Sequence, residues 1–271
     1  MTMVATPPPP PPLPVRDGAL AGERAHGALS PMLTRLAEER ATGVLVREHG
    51  TLVLHEGRVI HAESPCAPGL DVLLTARGTL DEAVWRQAAD RPGDPPGAVR
   101  LLLDAGLLAA GALELCHLGA LYDAGYFTLA PSGAPGRFRY EAVARPGPLR
   151  PVPVKALERE TLRRRRLLHR LWPDPAVDGA PLIRADPLAA PPVTPRRRAV
   201  LDRVDGVRTA PQIARELGRH AFHTLVDVRR LAAAGLVSPG PSTAAAPPSA
   251  PEVTDPEIAL LKRLRDALEA L

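Results

Sequence analysis

The chain has 271 residues, a net charge of +4 and 45% hydrophobic residues, a size that suits two domains with tails. Phe, Tyr and Trp together make up only 3%, so the stacking platforms that hold single-stranded nucleic acid are not expected. The two cysteines, Cys66 and Cys116, form no CxxC pattern, which argues against a disulfide framework and predicts a reducing, cytoplasmic location. No apolar run approaches the roughly 20 residues of a membrane span, so no membrane contact is expected.

In chain order, a proline tract comes first, and residues 1–19 are predicted to form a disordered tail. A short helix follows between residues 28 and 40. Ser30 is its candidate N-cap and Pro31 suits its first turn. Its apolar residues recur at helical spacing and are predicted to belong to the core: Leu29, Met32, Leu33 and Leu36.

Residues 43–63 alternate apolar and polar residues in three runs, separated by turns at Glu48-His49-Gly50 and Glu56-Gly57. Alternation broken by glycine turns predicts a three-stranded antiparallel meander with one buried face. Because so small a sheet needs helices over its apolar face, we expect the flanking segments to supply them. The alternating positions are Val44, Val46, Leu52, Leu54, Val59 and His61.

Helical signals fill residues 70–124, which predict a helical insertion. Thr79 followed by Glu82 is a capping box that opens one of its helices, and Gly106 stops another. The strand period returns at residues 126–129 and 137–141, which predicts a second hairpin that completes the sheet. Residues 20–154 are thus predicted to form one domain of the α+β class.

The order of these elements and several local phrases resemble the PATAN-type domains of bacterial signalling proteins. The likeness covers residues 27–144 and implies a sensory or protein-interaction module in two-component or small-GTPase signalling. It brings no active-site motif and therefore argues against an enzyme. Besides the opening helix, it rests on Thr42-Gly43, Gly57-Arg58-Val59-Ile60-His61-Ala62, Leu103-Asp104-Ala105-Gly106-Leu107-Leu108, and Gly125-Tyr126-Phe127 as the closing strand.

Basic charge is concentrated between residues 155 and 241, where 17 Lys and Arg stand against 9 Asp and Glu. Residues 155–171 predict an amphipathic helix with the run Arg163-Arg164-Arg165-Arg166 on one face and leucines on the other. Such a helix can lie on DNA phosphates or on an acidic partner, or it can be a solvated face over the sheet domain. Residues 172–195 are so rich in proline that they predict a connector without helix or central strand.

Residues 196–241 predict a second domain of three helices followed by a strand. Asp205-Gly206 closes the first helix, Thr209 caps the second, and Gly218 ends it. The phrase TAPQIARELG, which starts at Thr209, looks like the second helix of a winged helix-turn-helix, and the likeness spans about 40 residues. The predicted fold class is therefore α+β, with a small antiparallel sheet and a helical insertion, a trihelical winged-helix-like domain and a terminal helix.

In winged-helix proteins the third helix enters the major groove, so the resemblance implies nucleic-acid contacts by its outward side chains. Asp227, also expected to face outward, would repel DNA there, and the third helix carries no Asn or Gln to read adenine. Double-stranded DNA is therefore one candidate partner, and a signalling protein bound by the same module is the other. The candidate nucleic-acid-binding residues are Arg196, Arg197, Arg198, Arg219, His220, His223, Thr224, Arg229 and Arg230.

The carboxyl end predicts a linker over residues 242–253 and an amphipathic helix over residues 254–271. Thr254 and Glu257 form its capping box. Two heptads are too few for an autonomous coiled coil, so the helix either docks on its own domain or pairs with a second copy. A homodimer therefore remains open.

We expect no catalytic, cofactor or metal site. His55, His61 and Cys66 lie close in sequence, but no fourth zinc ligand stands at the usual spacing. Cys116 and His117 are adjacent on a predicted helix and point about 100° apart. No nucleotide-binding or hydrolase motif is present. The sequence therefore predicts a non-enzymatic, signal-responsive transcriptional regulator, with a protein-interaction adaptor as the alternative.

Overall fold

The computed structural model describes residues 29–76, 78–89, 101–143, 150–185 and 191–241. The chain divides into two units, of which the first combines Met1–Leu168 with Ala214–Phe222 and the second combines His169–Ile213 with His223–Leu271. The predictions for residues 1–19, 242–253 and 254–271 lie outside the described residues.

The first unit contains a five-stranded antiparallel sheet, which confirms the α+β class and the meander. Its strands are β1 (Gly43–Arg47), β2 (Gly50–His55), β3 (Arg58–Glu63), β4 (Arg137–Tyr140) and β5 (Val152–Pro153). They are ordered β4-β1-β2-β3-β5, and every neighbouring pair is antiparallel.

The phase of β1 is opposite to the prediction. Gly43 and Leu45 are buried, whereas Val44 and Val46 are only partly buried. Three consecutive apolar residues fit either phase of a strand, so alternation could not choose between them. The larger leucine side chain takes the core face.

A β-bulge changes the phase of β3. The register of β2 against β3 shifts between Val53 and Leu54, so one more residue is used on β3 than on β2. Val59 and Ala62 consequently both face the core, and His61 is exposed. The prediction that His61 shares the buried face is wrong for this reason.

The helices with described bounds that begin in the first unit are α1 (Pro31–Glu38), α2 (Leu70–Thr75), α3 (Glu82–Ala89), α4 (Ala110–Thr128) and α5 (Val154–Leu171). Ser30 caps α1 and Pro31 occupies its first turn, as predicted. The carboxylate of Glu158 on α5 also accepts the Ser30 N–H at 3.0 Å. Leucines from α1, α4 and α5 form one core with the sheet: Leu33, Leu36, Leu121 and Leu157.

The cap of α3 is Asp81 and not Thr79. The Asp81 Oδ1 accepts the backbone N–H groups of Ala83 and Val84 at 2.8 and 3.3 Å. An aspartate satisfies these donors and adds negative charge at the helix amino terminus. The predicted capping box is therefore wrong, although the helix begins where it was expected.

The second predicted hairpin is also wrong, because Gly125, Tyr126 and Phe127 belong to α4. A side chain at Gly125 would come within 2.6 Å of the Leu157 side chain, so the glycine is needed for close approach of α4 to α5. β4 pairs with β1 instead of with a neighbouring hairpin strand. The closing strand of the PATAN likeness is thus absent from the described residues.

Residues 196–241 follow the expected order of three helices, α7 (Pro195–Leu201), α8 (Ala210–Glu216) and α9 (Ala221–Ala233), before a strand. The unit boundary passes through α8 and α9. Residues 172–195 are more than a connector, since they contain α6 (Ala176–Gly179) and β6 (Leu182–Arg184). β6 pairs antiparallel with β7 (Val237–Pro239), the strand after the third helix.

Among the described residues, no helix combines the length with the apolar character that a membrane span requires.

Substituting Gly57 is expected to destabilise the first unit. Its φ of +75° disfavours any side chain, and an added Cβ would lie 2.5 Å from the Ala37 carbonyl oxygen. We expect Gly57→Ala to lower the free energy of unfolding by roughly 2–4 kcal/mol in urea titrations. Gly106→Ala is the matched control, because Gly106 has a φ of +67° with nothing within 4 Å of its Cβ. Equal losses in the two variants would contradict the steric argument.

Candidate interaction surfaces

The nine candidate nucleic-acid-binding residues do not form one exposed surface. Arg196, Arg198, His223 and Arg230 are exposed, Arg197, Arg219 and His220 are partly buried, and Thr224 and Arg229 are buried. Along α9, the exposed fractions of Thr224, Asp227 and Arg229 are only 1%, 3% and 4%. The prediction that these three side chains face outward is therefore wrong.

Arg229 is part of an ion pair within the second unit. Its Nε and Nη2 donate to the two carboxylate oxygens of Asp178 on α6, at 2.7 and 2.6 Å, and its Nη1 donates to the Trp172 carbonyl. Burial raises the pKa of the Asp178 carboxyl, while the guanidinium opposes that rise. A bidentate Arg-carboxylate pair of this kind fixes the relative orientation of the two side chains as well as balancing their charges. Arg229 thus joins α9 to α6.

Asp227 also has a structural partner. Its carboxylate accepts the Nε–H of Arg196 on α7 at 2.8 Å, and the Arg196 Nη2 lies 3.5 Å from the His223 carbonyl oxygen. The carboxylate that seemed repulsive toward DNA is therefore neutralised inside the unit. Arg196, a candidate nucleic-acid-binding residue, instead joins the first and third helices.

In the first unit, the carboxylate of Asp123 on α4 is the centre of a buried polar cluster. It accepts the Arg164 Nη1–H at 2.6 Å and the Phe222 backbone N–H at 3.2 Å, and the His220 Nδ1 lies 3.8 Å away. Arg164 on α5 also donates from Nε to Glu160 at 2.9 Å. Its guanidinium lies 4.5 Å from the centre of the Phe222 ring, a cation–π distance. Asp123 therefore connects α4, α5 and the segment 214–222.

The turn between α8 and α9 is packed into the first unit on both sides of this cluster. A Cβ at Gly218 would lie 2.2 Å from the Ala76 Cβ, and one at Gly119 would lie 2.2 Å from the His220 ring. Arg215 donates to the Pro65 carbonyl at 2.9 Å. Segment 214–222 is thus an integral part of the first unit, although in sequence it lies in the middle of the predicted second domain.

The arginine run on α5 is divided between the interior and the surface. Arg164 is buried in the Asp123 cluster, and Arg165 donates to the Leu129 carbonyl at 2.6 Å. The prediction of a single basic face made by this run is therefore only partly correct. The exposed cations that α5 carries within the first unit are Lys155, Arg159, Arg163 and Arg166, which we call the cationic row.

His117 is a buried, neutral side chain on α4. Its exposed fraction is 5% and its ring lies nearly parallel to that of His61 at 6.4 Å, and its Nε2 finds no hydrogen-bond partner among the described residues. Burial, with a smaller contribution from His61, lowers the pKa of His117 to about 4. Burial also raises the pKa of the Cys66 thiol, which makes that sulfur a poor nucleophile. The described residues contain no group of three or more His, Cys, Asp or Glu able to hold a metal ion.

Loss of the Asp123 charge is expected to weaken both the fold and the attachment of segment 214–222. Asp123→Asn leaves the buried Arg164 guanidinium with Glu160 as its remaining ionised partner, which should cost roughly 3 kcal/mol in urea unfolding. Amide exchange at Phe222 should accelerate, because its acceptor is weakened. The matched control is Arg35→Met, which removes an exposed pair with Glu39 away from the cluster and should cost less than about 1 kcal/mol. Similar losses in both variants would contradict the importance of the buried charge.

Protonation should destabilise the protein through His117 between about pH 6.5 and about pH 4. In this window the unfolded chain binds a proton at His117 and the folded chain does not, so stability falls as pH falls. The full contribution is up to about 3 kcal/mol. His117→Phe should show a correspondingly smaller loss of unfolding free energy over this range. Parallel pH curves for the wild type and the variant would refute the assignment.

No protein-family model, no curated protein and no solved structure matches this chain. The likenesses to PATAN-type and winged-helix families therefore rest on the phrases and element order of the chain itself.

Proposed function

We propose that this chain is a non-enzymatic bacterial regulatory adaptor that acts in the cytoplasm by binding a partner protein. The observation that carries the proposal is the burial of Thr224, Asp227 and Arg229 on the third helix. A helix that reads DNA presents such positions to base edges in the major groove. Here they complete the interior, so the helix serves as a structural element.

The ion pairs explain why this arrangement resists opening. Turning Arg229 toward DNA would separate it from Asp178 and leave a part-buried carboxylate without its partner. Removing one member of a buried pair typically costs about 3–5 kcal/mol. Turning Arg196 toward a phosphate would likewise leave the buried Asp227 carboxylate without its ion-pair partner. Base reading through α9 would therefore have to offset these losses.

A winged-helix-like assignment of residues 196–241 is part of this proposal. The three helices, the tight turn before α9 and the strand β7 support it. β6, which precedes the first helix, provides the partner of β7. Such a module has the size of a docking unit, and a fold alone does not fix whether its ligand is DNA or protein.

We likewise propose that the first unit is a PATAN-like module that serves as the sensory or interaction part of the protein. The opening helix, the meander and the glycine turn at Gly57 support the likeness. The helical course of Gly125-Tyr126-Phe127 counts against it. The proposal therefore retains a partner-binding role in signalling and assigns no catalytic residue.

A DNA-binding transcriptional regulator is the second candidate. Exposed Arg198 and Arg230 in the second unit favour it, because lysine and arginine contacts to phosphates supply most non-specific affinity. Such contacts position a protein on DNA but carry no sequence information directly. This candidate needs a base-reading surface other than the buried face of α9.

Titration against duplex DNA decides between the two candidates. The adaptor predicts binding no tighter than the non-specific range of about 10⁻⁴–10⁻⁶ M for any sequence, measured by fluorescence anisotropy at physiological salt. Selection from a random duplex pool should yield no shared motif. A motif whose enrichment is lost in Arg230→Ala, but is kept in Arg58→Ala, an exposed position on β3, would establish the regulator instead.

A further inference from the structure

We propose that the cationic row on α5 binds an acidic α-helix of the partner protein. This inference rests on the proposed function, because it names the chemical class of the partner that the adaptor binds. The row consists of four exposed side chains on one helix, Lys155, Arg159, Arg163 and Arg166.

The four cations lie on one narrow strip. At 100° per residue, they fall within an arc of about 80°, and the strip runs about 16 Å along the helix axis. The opposite side of α5 packs into the first unit through the buried residues Leu157, Arg164 and Leu168. The row is therefore presented outward by a helix whose other face is anchored.

The internal contacts of the described residues leave three of the four charges of the row unpaired. In the described ranges, Lys155, Arg159 and Arg166 have no ion pair with any carboxylate. Arg163 donates two hydrogen bonds of 2.7 Å to Glu160, which holds its guanidinium against the helix. Glu160 in turn also binds Arg164 at 2.9 Å, so the position of Arg163 is coupled to the buried cluster.

The spacing of the row matches that of a second helix. Successive members are separated by four, four and three residues, which is the repeat of one face of an α-helix. Carboxylates spaced in the same way on a partner helix can oppose all four cations with both helices straight. An isolated surface pair contributes little, but a matched set adds several such pairs and fixes the relative register.

The composition of α5 favours a protein over a nucleic acid. The helix contains no Phe, Tyr, Trp, Asn or Gln, so it offers neither a stacking platform nor an amide that reads a base. Nucleic acid could therefore bind only through non-specific charge, which makes it the competing outcome of the test.

Two synthetic peptides of about 18 residues test the proposal on the full chain. One carries glutamates four, four and three residues apart on a single helical face, and the other has the same composition with the glutamates distributed around the helix. We expect the first to bind about tenfold more tightly, measured by fluorescence anisotropy in about 50 mM NaCl, with affinity falling in about 300 mM NaCl. Equal binding of the two peptides would overturn the proposal.

Charge reversal locates the site. The triple variant Lys155→Glu, Arg159→Glu, Arg166→Glu should lose at least about tenfold in affinity for the first peptide. The control Arg58→Glu, Arg137→Glu, Arg139→Glu makes the same change in net charge at exposed strand positions and should lose much less. If the reversal impairs folding, as judged by circular dichroism, the glutamine triple variant at the same three positions replaces it. Equal losses in row and control variants would overturn the assignment.

A random-sequence duplex provides the remaining arm. If the duplex binds more tightly than the first peptide and the row variant abolishes that binding, the row is a phosphate-binding surface and the proposal is wrong. The proposed function fails by a different result, the enrichment of a shared DNA motif that depends on Arg230. Failure of the row can therefore be told apart from failure of the adaptor.

Discussion

The buried pair between Asp123 and Arg164 is the interaction on which the first unit depends. It joins residues 41 positions apart, and the same carboxylate also binds the Phe222 amide, 99 positions along the chain. A carboxylate that is 1% exposed is stable only if its lost hydration is replaced by charge and hydrogen bonds. Here α5 supplies the guanidinium of Arg164 and segment 214–222 supplies the Phe222 amide, so neither can be removed without leaving the buried charge incompletely satisfied.

Arginine in this chain has two distinct roles that composition cannot separate. Arg164, Arg196 and Arg229 each pair with a carboxylate that is partly or fully buried, and the charge is used within the fold. The cationic row leaves its charge at the surface, where it is available for association. A local excess of Lys and Arg therefore overstates the surface available to a polyanion, because some of that excess balances interior acids. The nine candidate residues illustrate this, since Arg196 and Arg229 were assigned to DNA and are bound to Asp227 and Asp178.

The features predicted correctly are those encoded by local sequence. The meander follows from strand alternation and glycine turns, α1 from Ser30 and Pro31, and α5 from its leucine period. The trihelical order of residues 196–241 also follows from local caps and stops. Where the local sequence permits both a strand and a helix, distant contacts decide between them. Gly125 suits the end of a strand, but it lies in a helix, where its small size allows close packing against Leu157.

The errors at the candidate site have the same origin. The burial of Asp227 and Arg229 depends on partners 31 and 51 residues away, and helical periodicity does not specify which face of an amphipathic helix meets such partners. The β-bulge that exposes His61 requires a register shift that alternation does not reveal. No local signal indicates that segment 214–222 belongs to the first unit. The local signal for a buried ion pair is Asp123, a carboxylate in the middle of the apolar helix α4.

The discontinuity of the first unit has a consequence for biosynthesis. Asp123 leaves the ribosome 99 residues before the amide of Phe222 that it binds. At a synthesis rate of about 5–20 residues per second, the Asp123 carboxylate waits roughly 5–20 s for the Phe222 N–H donor. The amino-terminal half therefore cannot reach its final form until residues 214–222 have been synthesised. A messenger truncated between the codons for residues 168 and 214 yields a product in which Asp123 never gains the Phe222 N–H donor.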